Sequence, residues 1–135
     1  MPQGINNRDY RSVYKDLSTT LNLAAADTPT TVGAGILTGR AGYTIYVMSI
    51  KVHVITAAAQ ALTFQDTAGT PVVIAKLPAS AVVGDTHVLL DETEGPGVPL
   101  TEGKNLDITG AAGVQALITI KAYLKPTGVL TPATI

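Results

Sequence analysis

No cysteine and no tryptophan occur anywhere in the chain, phenylalanine occurs once, and histidine only twice. Without cysteine, disulfide staples and thiolate metal sites are excluded, and the sequence says nothing about redox compartment. With aromatic residues at 4%, the flat platforms that usually bind sugars or unpaired bases are scarce. Charge is scarce too. Charged residues make up 14% of the chain, against roughly 25% in an average soluble domain. The formal net charge of -1 leaves no overall basic field for nucleic acid or for an anionic membrane surface. Apolar runs are broken by Lys51, His53, Lys76 and Asp85, so none approaches the roughly 20 residues of a membrane-spanning helix. The opening MPQGINNRDYRSVYKD is polar and lacks the apolar centre of a secretory signal.

What is present is a chain of 135 residues, 46% of them hydrophobic, a length that suits one domain. So few charges leave much of the surface to Ala, Thr, Val and Gly. That composition points to burial against other copies of the chain, and homo-oligomerisation is expected.

The chain divides at about residue 17. Residues 1–17 carry Arg8, Arg11 and Lys15, together with Tyr10 and Tyr14. Tyr10, Val13, Tyr14 and Leu17 follow helical spacing, with Asn7 placed to cap. Tyr and Arg are the types enriched where partners bind most strongly. Residues 1–17 are therefore read either as an arm gripping a neighbour or as a short helix lying on its own domain. Tyr10, Arg11, Tyr14 and Lys15 are the candidate partner-contacting residues.

From residue 18 to 126 the pattern is β, with an irregular tail at 127–135. The segment 43–56 reads as a long strand after a turn at Gly39 and Gly42. Its even positions, including Tyr46, Met48, Ile50, Val52 and Val54, are expected to share one face. Residues 62–65 and 72–77 form an expected hairpin, followed by a strand at 87–91 and a loop at 94–99. Residues 106–108 and 116–124 form a second expected hairpin through Gly110 and Gly113. In the last strand Ala116, Ile118, Ile120, Ala122 and Leu124 are set to share a face. Leu62, Phe64, Ala68 and Gly69 match Leu106, Ile108, Ala112 and Gly113 in spacing, which suggests equivalent hairpins. Seven to eight short antiparallel strands predict a single all-β domain, a β-sandwich of jelly-roll type.

Catalytic chemistry finds little material. His53 and His87 lie inside alternating strand patterns and read as ordinary strand residues. Ser12, Ser18, Ser49 and Ser80 stand in no nucleophile-elbow setting. Thr101-Glu-Gly-Lys-Asn105 resembles the end of a phosphate loop, but Asn105 stands where a hydroxyl must ligate magnesium. It reads as a turn. Asp91, Glu92 and Glu94 form an oxygen-rich loop whose spacing fits no calcium-binding pattern, so a solvated acidic loop is the expectation. No catalytic, cofactor or metal residue is assigned, and no enzymatic role is expected.

The run Ile45 to Asp66, the phrase Val-Pro-Leu-Thr-Glu-Gly-Lys-Asn-Leu-Asp-Ile at 98–108 and the closing Lys-Ala-Tyr-Leu resemble small β-sandwich virion proteins of tailed bacteriophages. The resemblance spans about residues 43–125. In size and in its polar arm, the chain is most similar to capsid decoration, or cement, proteins. That resemblance implies a homotrimer on the capsid exterior that binds the major capsid protein and stabilises the shell, with no cofactor and no direct contact with nucleic acid or membrane. Such a protein is made in the host cytoplasm and ends on the virion. A tail, fibre or baseplate component and a carbohydrate-binding module are the alternatives.

Overall fold

A computed structural model describes residues 15–56, 61–79, 81–92 and 95–127. Its strands are β1 (Lys15–Asp16), β2 (Thr19–Leu23), β3 (Tyr43–Val54), β4 (Leu62–Asp66), β5 (Val73–Leu77), β6 (Thr86–Asp91), β7 (Val98–Pro99), β8 (Leu106–Thr109) and β9 (Ala116–Pro126). One short helix, α1 (Pro29–Val32), lies between β2 and β3. Proline stands in its first turn, where the missing N–H costs nothing.

The protein is all-β and built from two antiparallel sheets. Six strands form the larger, with β1 and β2 on one side of β9, then β3, then β6 and β7. Three form the smaller, in the order β5-β4-β8. Both sheets give side chains to one apolar cluster. Ile50, Val52, Val54, Ile118 and Ile120 enter it from the larger sheet, and Leu62, Phe64, Leu77, Leu106 and Ile108 from the smaller. Phe64, the chain's single phenylalanine, is fully buried. The expected alternation of β9 is observed, with Ala116, Ile118, Ile120, Ala122 and Leu124 all inside.

Three sequence expectations are corrected. First, β3 does not keep one parity. Ile45 and Val47 are buried before a β-bulge, and Ile50, Val52 and Val54 after it, because pairing with β9 jumps from Val47↔Ala122 to Ser49↔Lys121. The extra residue, Met48, moves the buried set from odd to even positions, leaving Tyr46 and Met48 only half-buried.

Second, residues 106–108 and 116–124 do not form a hairpin. β8 pairs with β4, and β9 pairs with β3. The residues between them cross from one sheet to the other. Val114 is fully buried on the way, Gly113 N–H donates to Ala25 O at 3.0 Å, and Ile55 N–H donates to Gln115 O at 2.8 Å. The repeated spacing of Leu62, Phe64 and Leu106, Ile108 has a different cause. These residues lie on the buried face of one ladder, in which Phe64 pairs with Ile108 and Asp66 with Leu106, and equal burial demands equal alternation.

Third, the helix proposed for the N-terminal segment does not include its last residues. Lys15 and Asp16 are β1, and Leu17 N–H donates to Ala122 O at 2.9 Å. Tyr10, Arg11 and Tyr14 lie outside the described residues, as do residues 128–135 of the tail.

Candidate functional site

One end of the two-sheet body gathers the aromatic and cationic side chains. It is the end where β3 begins and β9 finishes, Tyr43 pairing with Pro126. The chain enters the described region here, with Lys15 opposite Leu124, and leaves it here, with Thr127 N–H donating to Gly42 O at 2.9 Å. Lys15 is therefore the one sequence-nominated contact residue that the structure places. It is exposed, on the outermost strand of the larger sheet at this end.

The turn before β3 is held firmly. Gly39 N–H donates to Asn105 Oδ1 at 2.6 Å, and a Cβ at Gly39 would lie 2.3 Å from Lys104 O, so only glycine fits. Gly42 takes a φ of +84°, and Tyr43 N–H closes the turn on Arg40 O at 2.9 Å. Arg40 is carried on this turn with its guanidinium carbon 4.6 Å from the centre of the Tyr43 ring. That is cation–π range.

Beside it, Tyr46 and Tyr123 are paired across β3 and β9 on the outward face. Their rings stack with centroids 5.3 Å apart and planes 7° from parallel. Lys125 Nζ lies 5.3 Å from the Tyr46 ring centre, and the Tyr123 hydroxyl donates to Pro96 O at 2.7 Å. The cross-strand register places these rings together, since directly opposed side chains on one face come within contact. Asp16 borders the group opposite Tyr123. Hydrogen bonds from the Ser18 side chain and N–H, with Lys121 nearby, hold its carboxyl below the ordinary value.

Beneath this surface sits Asp66, 1% exposed. Its Oδ1 accepts from Ala68 N–H at 3.2 Å and Val72 N–H at 2.9 Å; Oδ2 accepts from Thr101 N–H at 3.0 Å and the Thr101 hydroxyl at 2.6 Å. Burial pushes this carboxyl up, but the donors outweigh it and the group is held below its usual range. Asp66 thus ties the β4–β5 turn to the loop before β8. It is a structural carboxylate. The sequence signal was there: Asp66 shares parity with the buried Leu62 and Phe64.

The two histidines fall elsewhere. His53 Nδ1 lies 3.1 Å from Thr86 Oγ1, and His87 Nε2 lies 3.0 Å from Val82 O, both at the far end of the larger sheet. Thr101–Asn105 is a turn, closed by Lys104 N–H on Thr101 O at 3.1 Å. Asp91 ends β6, Glu92 N–H donates to Met48 O at 2.6 Å, and Glu94 lies outside the described residues. Among the described residues no three His, Asp or Glu side chains gather in a metal-holding group, and no helix is long and apolar enough to cross a membrane.

A scan against protein-family models, a search of curated proteins and a search of solved structures each returned no match to the chain.

Proposed function

We propose that this chain is a structural protein of a viral particle, a decoration protein that binds the outer surface of a bacteriophage head as a homotrimer and reinforces the shell. The observation that carries the reading is the shared position of the two chain exits. Residues 1–14 and 128–135 both join the body at the end bearing Arg40, Tyr43, Tyr46 and Lys125. Contacts made by Tyr10, Arg11, Tyr14 and Lys15 would then add to those of the folded surface, and linked modest contacts bind strongly in sum.

The finer fold we propose is the jelly roll, and the pairing order supports it. β2-β9-β3-β6 lie in one sheet, and the Leu37 segment, β8, β4 and β5 follow each other in the other, Leu37 bridging to Leu106. Those two sets of four segments interleave as the strands of two nested Greek keys would, which supports the jelly-roll reading. For self-association the support is apolar exposure. Val72, Val73, Val82, Val83 and Val88 are all solvent-exposed on β5, β6 and the segments beside them.

Removing residues 1–14 tests the reading. The truncated protein is expected to keep its melting temperature and its native mass but to lose most of its occupancy on purified heads, measured by co-sedimentation. Unchanged occupancy would sink the arm's role. Absence of binding by the full chain to any phage particle would sink the decoration reading itself.

A further inference from the structure

Arg40 is an unusual place for a positive charge to be left. It is exposed, it is fixed on a turn that admits only glycine at position 39, and among the described residues its guanidinium meets no carboxylate. The Tyr43 ring lies 4.6 Å from the guanidinium carbon and engages its charge. A guanidinium so held still carries N–H donors in the fork geometry that fits a carboxylate through two parallel hydrogen bonds. Lys15 and Lys104 are exposed at the same end, against Asp16 and Glu102. Asp16 is already engaged by Ser18.

We propose that this end is a docking surface for an acidic protein segment, with Arg40 as its central carboxylate receptor and Tyr43 as the platform that holds Arg40 ready. The inference rests on the attachment reading above and names the chemistry of the partner. Charge complementarity favours a protein over nucleic acid. A phosphate backbone needs a run of cations, whereas this end offers a few interrupted by acids. The stacked Tyr46 and Tyr123 also turn ring faces to each other rather than to bases.

Binding of a fluorescent poly-glutamate peptide and of an oligothymidylate of equal charge is measured by anisotropy at low salt, using the full chain. Poly-glutamate is expected to bind more tightly than the oligonucleotide. Arg40→Glu is expected to weaken the peptide about tenfold, and Arg40→Lys less, since lysine keeps the charge but not the fork. Lys76→Glu, an equal charge change on the outer strand of the smaller sheet, is expected to leave affinity within about twofold. The melting temperature of each variant checks folding. Equal weakening by Lys76→Glu, tighter binding of the oligonucleotide, or no peptide binding at all would overturn the proposal. Co-sedimentation separates the two levels. Heads decorated equally well by Arg40→Glu would refute the docking surface and leave the decoration reading intact. Selective peptide binding without head binding would do the reverse.

Discussion

The two margins of the molecule are built on opposite terms. At the β8 margin the chain covers its own sheet edge: the Leu37 segment bridges to Leu106, Asp107 Oδ1 accepts from Gly35 N–H at 2.6 Å, and Asn105 Oδ1 accepts from Gly39 N–H. Gly33 presses so close that a Cβ there would meet Ile108 Cβ at 2.6 Å. At the β5/β6 margin both terminal strands of the two sheets lie open and valines stand in solvent. An open edge is a hazard unless it is blunted or covered. Bulges blunt both strands here, one between Ile50 and Lys51 against β6 and one between Phe64 and Gln65 against β5. The contrast shows where this chain spends its few polar side chains. Asp107 and Asn105 seal one margin, while valines stay exposed along the other.

Three sets of substitutions sharpen that contrast. The largest effect is expected at the sealed margin from Gly39→Ala, whose Cβ must displace the backbone at Lys104. A loss of about 3 kcal/mol is expected, read as a lower urea midpoint with unchanged slope. A loss under about 0.5 kcal/mol would mean the margin yields more easily than its packing implies.

Asp66→Asn comes next, since an amide keeps one acceptor oxygen but points N–H groups at donors. A cost of about 2 kcal/mol at neutral pH is expected. The sign of its pH dependence follows from the lowered carboxyl. A group whose folded value lies below its unfolded value adds stability above the unfolded value, and that stability is lost as pH falls through the folded one. The parent should therefore weaken below about pH 4, and the variant should lack that part of the decline. Parallel pH curves for the two proteins would remove Asp66 from the account.

The smallest effect on the folded subunit is expected at the open margin. Val72, Val73, Val82 and Val83 replaced one at a time by Thr should each change stability by no more than about 0.5 kcal/mol. Native mass by light scattering is the informative reading: if the chain self-associates as proposed, all four together are expected to convert the proposed trimer to monomer. A trimer that persists would place the subunit contact elsewhere.

Much of the strand content was legible because alternation is a local property. The β4–β5 hairpin and the buried face of β9 followed directly from residues such as Leu62, Phe64, Ile118 and Ile120. The candidate site was less legible. Of Tyr10, Arg11, Tyr14 and Lys15, only Lys15 lies among the described residues, and Arg40 was passed over because nothing local distinguishes an arginine in a Gly-Arg-Ala-Gly turn. Its role depends on Tyr43 beside it and on Lys104 and Asn105, the latter 66 residues along the chain from Gly39.

The sequence by itself determined which residues go inside and, for most strands, which face they share, because a pleated backbone imposes a period of two on any half-buried run. Tertiary structure alone decided which strand lies beside which. The buried face of β9 suits β8 or β3 equally well as a neighbour, and only closure of both sheets over one core selects β3. The same closure set the bulge at Met48, where two runs of opposite parity had to serve a single strand.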